Sequence, residues 1–556
     1  MRFNTGSHGR LARFVLAVFV CASASVSFAP ARAKTVPRRQ TAARQAALNA
    51  DERAAIERVA ADDLRTHLKF IASDQLEGRN TPSRGLDMAA DYIAAQFRRA
   101  GLEAAGDDGY FQTANWRTVA RDAGSFRMKL DAGPHTVEVD RGKVSLASSL
   151  SGFTLWGADG PLALTSAGLV FVDVKDSSAL AALTPEQVGG KVVLTELPDL
   201  RREDRSRVAQ EYQGLRAALE RLAELKAALV VSVDRSGAAP APPAPRLVDP
   251  ENAGQASRNR MSPPAIPVVT VGDPAFVAQF DALRQSKEAQ GRANVSVSLG
   301  PPVQTPVRVR NVAGILRGSD PALKESYVLV TAHYDHLGVR EHCDPKKDDC
   351  IFNGANDDGS GTVSVVELAN ALSTLKTRPK RSILFMTFFG EEKGLLGSRF
   401  YGRHPLVPLA KTVAQLNLEQ VGRTDDSEGP QVGTVAVTGF DYTDVGAILS
   451  QAGELEGVKV YKHPRNSDAY FGRSDNQALA DVGVPAHTLS VAYEFPDYHA
   501  VGDEWQKVDY DNMAKVDRAV AAALLLIADD PQEPKWNESN PKTARYVEAW
   551  KKLHGK

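Results

Sequence analysis

The segment Ser382-Ile383-Leu384-Phe385-Met386-Thr387-Phe388-Phe389-Gly390-Glu391-Glu392 decides the interpretation of this chain, because two adjacent glutamates follow an apolar run. The run is typical of a buried strand. Adjacent residues leaving a strand point in different directions. One carboxylate can therefore hold a metal ion while the other faces a water molecule that the metal activates. A solvated acidic turn would have the same sequence, so the interpretation depends on the rest of the chain.

Two further predicted strands also end in residues that can bind a metal ion. His333 and Asp335 follow the apolar run 327–332, and Glu419 follows the run 412–418. In open α/β sheets, sites form beyond the carboxyl ends of strands, so we expect these side chains to meet. In an extended chain His333 and Asp335 lie on one face, where Asp335 could accept a hydrogen bond from the far ring nitrogen of His333.

Polar loops supply the remaining candidates. The adjacent His336 is a rival ligand, but its side chain should point the other way. The glycine-rich loop 353–361 contains Asp357 and Asp358, and a carboxylate in such a loop could bridge two cations with one oxygen each, although a polar N-capping loop would look the same. His499 lies in another polar loop, where an ordinary surface histidine is the alternative.

From Asn311 onward the sequence predicts strands at 327–332, 382–389, 412–418 and 485–491 and an amphipathic helix at 363–375. This alternation of strands with helices predicts an α/β fold with a mixed, largely parallel sheet flanked by helices. Residues 130–300 instead contain short β-like runs and a proline-rich loop, without a convincing cluster of histidines and carboxylates. We interpret them as a separate, non-catalytic inserted domain. The predicted catalytic domain comprises residues 51–125 and 306–530, and a C-terminal tail follows at 531–556.

The N-terminus has the features of a secretory signal peptide. Arginines precede an apolar stretch at 14–28, and a small-x-small cleavage site ends at Ala33. We predict a signal peptide over 1–33, cleaved after Ala33, and a disordered leader over 34–50. The mature protein would be periplasmic or secreted, without stable membrane insertion. An uncleaved anchor is the alternative, although the stretch is short for a membrane span.

Composition and charge argue against a nucleic-acid partner. The 556 residues are 43% hydrophobic and 24% charged, an ordinary globular profile. Cleavage after Ala33 removes four arginines and no acids, which changes the formal net charge from −1 to −5. A nucleic-acid partner would need a basic excess, so we expect none.

In an exported protein, Cys343 and Cys350 predict one local disulfide, with free thiols as the alternative.

Taken together, these segments resemble the co-catalytic zinc aminopeptidase family of metallopeptidases, that is, a family of the M28 type. The same clan also contains glutamate carboxypeptidases. The resemblance covers most of residues 60–120 and 306–520, and it implies a zinc-exopeptidase fold of the phosphorylase/hydrolase-like kind. The β-rich inserted region resembles, more loosely, a protease-associated domain. The motifs occur in the order of the family, at 76–79, 332–336, 353–359, 389–398, 417–422 and 498–499.

The resemblance implies two zinc ions per chain. Asp357 would bridge both ions, Glu392 and His499 would complete one site, and His333 and Glu419 would complete the other. Glu419 stands where an aminopeptidase usually has aspartate. Glutamate is still a suitable oxygen donor, but its extra methylene changes the reach of the carboxylate.

The resemblance also implies roles for residues that do not bind metal. Glu391 would be the general base, and it would pass a proton from the water to the leaving amine. Tyr498 would help to stabilise the tetrahedral oxyanion, and Asp335 would orient His333. The peptide link between Asp357 and Asp358 would be cis.

The implied function is that of an exported zinc-dependent aminopeptidase acting on peptides. A carboxypeptidase is the main alternative, and it would need a basic group for the substrate carboxylate, for which Arg423 and Arg473 are candidates. Lesser alternatives are a glutaminyl cyclase-like enzyme with one metal ion, an inactive binding scaffold, and an adhesion role for the inserted domain. Cobalt or manganese could replace zinc as the working metal.

Overall fold

A computed structural model describes residues 48–120, 122–133, 135–140, 144–145, 149–150, 153–154, 161–196, 205–235, 245–251, 266–340 and 343–556. The predicted signal peptide over 1–33 and most of the leader over 34–50 lie outside these residues. The first described helix, Ala50–Ile56, starts after Asn49, whose side chain accepts hydrogen bonds from two amides of its first turn. Within the described ranges, no helix combines the length and the apolar character needed to cross a membrane.

A ten-stranded mixed sheet is the larger of the two main sheets. Four neighbouring strands at its centre run parallel, in the order Ser382–Phe388, Tyr327–His333, Thr412–Leu418 and Ala486–Ser490. Every residue of these strands is buried, as expected for a parallel sheet covered on both faces. Shorter or antiparallel strands extend the sheet on both sides: Val303–Leu316, Phe111–Ala120, Arg246–Val248 and Glu103–Ala104 on one side, and Thr434–Val437 and Lys459–Tyr461 on the other.

Helices cover both faces of this sheet. Successive side chains of the strand Tyr327–His333 point into different cores, since Val328 and Val330 pack in one and Tyr327 and Leu329 in the other. The first core contains residues of Ala50–Ile56, Ala61–Ile71, Arg84–Arg99, Gly361–Ser373, Val445–Glu456 and Tyr510–Asp529, and the second contains residues of Leu396–Arg403, Asn476–Ala480 and Ala544–Leu553.

The predicted α/β class and its main elements are confirmed. The four strands predicted at 327–332, 382–389, 412–418 and 485–491 are the four parallel strands at the centre of the sheet. The helix predicted at 363–375 spans Gly361–Ser373. The region that we termed a tail contains the helix Ala544–Leu553, which packs Tyr546 and Val547 into the second core.

A second sheet is formed by the part of the chain between Phe111–Ala120 and Val303–Leu316. These two strands belong to the first sheet and pair with each other antiparallel, beginning with Val303 opposite Ala120. The second sheet has its own buried cores. Its assignment as a protease-associated domain stays a prediction. The eight strands of the second sheet, in spatial order, are His135–Asp140, Arg127–Ala132, Asn294–Leu299, Leu162–Phe171, Val192–Thr195, Leu229–Val233, Val268–Val271 and Val144–Ser145. The same region of the chain includes the helices Ser177–Ala181, Pro185–Val188, Arg205–Glu224, Pro274–Gln285 and Lys287–Arg292.

A small hairpin separates the strand end at His333 from the loop that carries Asp357. Gly338–Val339 pairs antiparallel with Ile351–Phe352. Cys343 and Cys350 form a disulfide within this hairpin, which confirms the predicted pairing.

Candidate metal centre

The carboxyl ends of three neighbouring parallel strands bring the predicted residues together. His333 is the last residue of the middle strand, and Glu419 directly follows the strand on one side of it. Glu391 and Glu392 follow the strand on the other side, after a turn at Gly390 with a φ of +69°. Since parallel strands end at the same edge of a sheet, the four side chains reach one region.

Two loops bring the remaining predicted residues to this edge. The loop before the helix Gly361–Ser373 carries Asp357, and the peptide link between Asp357 and Asp358 is cis, which confirms the expectation from the resemblance. A second loop carries Tyr498 and His499. The two loops are joined by a main-chain hydrogen bond of 3.1 Å from the amide of Ala355 to the carbonyl oxygen of Asp503.

The two oxygens of Asp357 face different histidines. Oδ1 lies 3.4 Å from Nε2 of His333, and Oδ2 lies 3.1 Å from Nε2 of His499. Glu392 joins the second histidine, with Oε2 3.3 Å from Nε2 of His499. Glu419 joins the first, because one ligand atom each from His333, Asp357 and Glu419 lie within 4.8 Å of one another. The five predicted metal ligands therefore form one cluster.

The geometry and the chemistry of these donors fit zinc. A tetrahedral zinc ion with bonds of about 2.0–2.1 Å holds its ligand atoms about 3.3 Å apart, which is close to the three distances between side chains given above. Three buried atoms of the cluster have no hydrogen-bond partner among the described residues: Nε2 of His333, Oε1 of Glu392 and Oε2 of Glu419. Imidazole nitrogens and carboxylate oxygens are both ordinary zinc ligands, so a cation would satisfy them.

Asp335 connects two parts of the cluster. Its Oδ1 accepts a hydrogen bond of 3.0 Å from the amide of Glu391, and its Oδ2 accepts one of 3.1 Å from the hydroxyl of Thr81. The predicted partner of His333 is therefore in place, but Nδ1 of His333 lies closer to the carbonyl oxygen of Asp335, at 3.2 Å, than to its carboxylate, at 3.5 Å. The backbone of Asp335 thus fixes the ring of His333.

Sequence reasoning missed the role of Asp358, which ties three ligand-bearing segments together. Its carboxylate is buried and accepts hydrogen bonds from the amides of His333 at 3.2 Å, Gly361 at 3.0 Å and Gln420 at 3.2 Å. Gln420 directly follows Glu419. Only its position next to Asp357 in a polar loop could have pointed to Asp358.

Two further buried residues that sequence reasoning missed hold the backbone of the ligand loops. Asp503 accepts hydrogen bonds of 3.0 Å from the amides of Asn356 and Asp357. Arg79 is fully buried, and its guanidinium donates to four main-chain carbonyls, those of Ile71, Tyr334, Asn353 and Gly354, at 2.5–2.9 Å. Arg79 lies in the motif at 76–79 and Asp503 follows the motif at 498–499 in the same polar loop, but neither stretch of sequence indicates these contacts.

The prediction for His336 was wrong. Its Nδ1 lies 2.7 Å from Oε1 of Glu392, and one ligand atom each from His336, Asp357 and Glu392 lie within 4.8 Å of one another. The prediction assumed an extended chain, whereas the strand ends at His333. After that point the alternation of side chains no longer applies.

Burial and mutual repulsion control the protonation of the carboxylates. Burial raises the pKa of Glu391 well above its usual value and that of Glu419 to about 7, in each case against the attraction of the nearby imidazole of His333. Burial would also raise the pKa of Glu392, but the imidazoles of His336 and His499 bring it to about 2. This concentration of buried acidic groups calls for compensation by positive charge.

Tyr498 lies against the cluster. Its ring stacks on that of His499, with the ring centres 4.0 Å apart and the planes inclined by 22°. Burial raises the pKa of the Tyr498 phenol well above its usual value, and the carboxylates of Asp357 and Glu392 raise it further. The phenol therefore keeps its proton at neutral pH and can act as a hydrogen-bond donor.

The two basic residues considered for a substrate carboxylate have different surroundings. Arg423 is buried, and its guanidinium donates two hydrogen bonds to Asp425, at 2.7 and 2.5 Å, and one to Asp497, at 3.0 Å. Arg473 is exposed, and its guanidinium lies 4.1 Å from the ring centre of Tyr470. The charge of Arg423 is thus already balanced by carboxylates.

The chain is similar to known metallopeptidases in sequence and in fold. The profile of peptidase family M28 matches residues 311–524, a range that contains all the residues of the cluster. The chain is 25% identical over 293 residues to a probable zinc metalloprotease of Pyricularia oryzae, a match that covers 44% of this chain and 56% of the relative. It is 26% identical over 262 residues to a probable leucine aminopeptidase 2 of Aspergillus oryzae, covering 41% of this chain and 47% of the relative.

A third relative, a probable zinc metalloprotease of Leptosphaeria maculans, is 34% identical over 151 residues, which is 26% of this chain and 33% of that protein. The chain therefore spans between a third and just over half of the length of these curated relatives. Among solved structures, an aminopeptidase from Aneurinibacillus sp. strain AM-1 superposes with a TM-score of 0.52 at 20% identity, over 87% of this chain and 97% of that one. At that identity the likeness shows the fold.

Proposed function

Residues 311–524 belong to peptidase family M28, and on this premise we propose that the protein is an exported aminopeptidase that uses two zinc ions to hydrolyse peptides. The observation that carries the proposal is the position of Asp357, whose two carboxylate oxygens face His333 and His499 separately. A carboxylate in this position can bridge two cations.

The five clustered side chains would hold the metal. His333 and Glu419 would bind one zinc ion, Glu392 and His499 the other, and Asp357 would bind both. Zinc bound there would lower the pKa of a coordinated water molecule toward about 7 and would polarise the carbonyl of the scissile peptide bond. The matching of buried, unpartnered donor atoms to zinc supports this assignment.

Glu391 would move the proton of the reaction. Its Oε2 lies 4.0 Å from Nε2 of His333, at the edge of the ligand cluster, and its amide is fixed by Asp335. From there its carboxylate would take a proton from the attacking water and pass it to the nitrogen of the leaving amine. Tyr498, which keeps its phenolic proton, would donate a hydrogen bond to the oxyanion that develops on the carbonyl.

The surroundings of the basic candidates favour an amino terminus over a carboxyl terminus as the group that the site recognises. A carboxypeptidase would need a free cation near the cluster, but the guanidinium of Arg423 is held by Asp425 and Asp497. Arg473 is the remaining candidate for that alternative.

The test combines one variant with two substrates. Glu391→Gln should keep the zinc content of the wild-type protein, while kcat on an aminoacyl p-nitroanilide falls by about 10²–10⁴-fold, the usual contribution of a general base. The matched control is Glu325→Gln, because Glu325 is exposed and precedes the strand Tyr327–His333 at its other end. Near-normal turnover of Glu391→Gln would remove the assigned base. Equal turnover of the same substrate with an acetylated amino group would contradict aminopeptidase specificity.

A further inference from the structure

His336 is a buried histidine whose ring nitrogens are both unpartnered. Its side chain is fully buried, and neither Nδ1 nor Nε2 has a hydrogen-bond partner among the described residues. An imidazole that is buried without partners loses its hydration without compensation. The other buried histidines of the described ranges each have at least one hydrogen-bonded ring nitrogen: His67, His333, His463 and His487.

The ring of His336 is held in place by close packing. A Cβ atom at Gly354, whose φ is +56°, would lie only 2.4 Å from Cγ of His336. The main chain of His336 is fixed as well, because its amide donates a hydrogen bond of 3.2 Å to the carbonyl oxygen of Arg79. The orientation of the imidazole is therefore imposed by its surroundings.

The imidazole faces one side of the metal centre. Nδ1 of His336 lies 2.7 Å from Oε1 of Glu392, yet these two atoms do not have the geometry of a hydrogen bond. Ligand atoms of His336, Asp357 and Glu392 lie within 4.8 Å of one another, and the ring centre of His336 lies 5.8 Å from that of His499. A cation in contact with both atoms would satisfy them, because imidazole nitrogens and carboxylate oxygens are both ordinary zinc ligands.

We propose that His336 is an additional metal ligand on the side of the centre formed by Asp357, Glu392 and His499. This inference rests on the proposed function, since it requires the two zinc ions. It makes the two positions unequal, with four protein donors at this one and three at the position of His333 and Glu419. The position with four donors should bind zinc more tightly and fill first.

X-ray absorption at the zinc edge tests the proposal on the unaltered protein. The fully loaded protein should show three imidazoles shared by two zinc ions, an average of about 1.5 per ion. His336→Ala should lower this average to about 1 per ion, whereas His404→Ala should leave it unchanged, because His404 is partly exposed and pairs with Glu251. Two zinc ions with only two imidazoles in the wild-type protein would overturn this inference alone. Fewer than two zinc ions per chain would contradict the two-zinc function as well.

Competition with a chelator gives a second readout that does not depend on activity. His336→Ala should weaken the binding of one zinc ion by at least about 100-fold and leave the other unchanged, since loss of a hydrogen-bond partner of a ligand already costs up to about 100-fold. His336→Asn separates a ligand from a residue that only positions Glu392, because an asparagine amide can still donate to that carboxylate. Recovery of wild-type zinc affinity in His336→Asn would therefore contradict the proposal.

Discussion

Replacing Arg79 with lysine should destabilise the protein and loosen the metal centre. The Arg79 guanidinium donates four hydrogen bonds to main-chain carbonyls, and two of these, those of Asn353 and Gly354, belong to the loop that carries Asp357. Burial lowers the pKa of Arg79 to about 10, so the group is still charged at neutral pH. A lysine has one ammonium group in place of the rigid fork and cannot reach four separate carbonyls.

The magnitude follows from the hydrogen bonds lost. A hydrogen bond to a charged group contributes about 1.5–3 kcal/mol, and because Arg79 is fully buried no discount for solvent screening applies. If lysine keeps two of the four bonds, the free energy of unfolding should fall by about 3–6 kcal/mol. Because Tyr334 lies between His333 and Asp335, zinc affinity should fall with stability.

The assay is urea unfolding of the wild-type protein, Arg79→Lys and the control Arg84→Lys, together with zinc titration of each. Arg84 lies five residues away in the same segment, but its side chain is 69% exposed and its ion pair with Glu77 is 3.4 Å long. An exposed pair of this kind contributes about 0–1 kcal/mol, so the control should unfold close to the wild-type midpoint. Equal stability and equal zinc affinity of the two variants would refute the reasoning.

Three further results are expected. Chelation should abolish hydrolysis and lower the melting temperature, and added zinc should restore both, because a ligand that binds only the folded state stabilises it; full activity of the metal-free protein would contradict this. Asp503→Asn should weaken zinc binding by about 10–100-fold in a chelator competition. The side-chain NH2 group of the new asparagine would face the main-chain N–H of Asn356 or Asp357, where the carboxylate now accepts a hydrogen bond. Unchanged zinc affinity would show that these hydrogen bonds are dispensable. Burial raises the pKa of Asp517 to about 8, so its contribution to stability is present below about pH 4 and is lost as the pH rises toward 8. Asp517→Asn should therefore lose less stability than the wild-type protein between pH 5 and 8, and parallel pH profiles in urea unfolding would contradict the prediction.

The sequence predicted the centre of the fold because its strands are long apolar runs. Burial on both faces makes these runs continuous, and the polar residue that ends each run marks an edge of the sheet. This reasoning located His333, Glu391 and Glu419 at one edge. The bridging position of Asp357 and the contribution of His499 came instead from the resemblance, since a polar loop carries no periodic signal.

The residues that support the centre could not be predicted in this way. Asp503 contacts the amide of Asn356 across 147 positions of the chain, and Arg79 contacts the carbonyl of Gly354 across 275. In both cases the partner is a main-chain atom. Residues of nearly every type carry the same main-chain atoms, so the sequence does not show which of them a side chain contacts. His336 was misjudged because the rule of alternating faces was applied beyond the end of the strand.

Anomalous diffraction at the zinc edge, from a crystal of the protein grown with excess zinc, tests the central claim most directly. The account predicts two peaks, one on each side of the Asp357 carboxylate and about 3.5–4 Å apart, with His333 and Glu419 beside one and Glu392 and His499 beside the other. A map in which these five side chains share no zinc peak would contradict it.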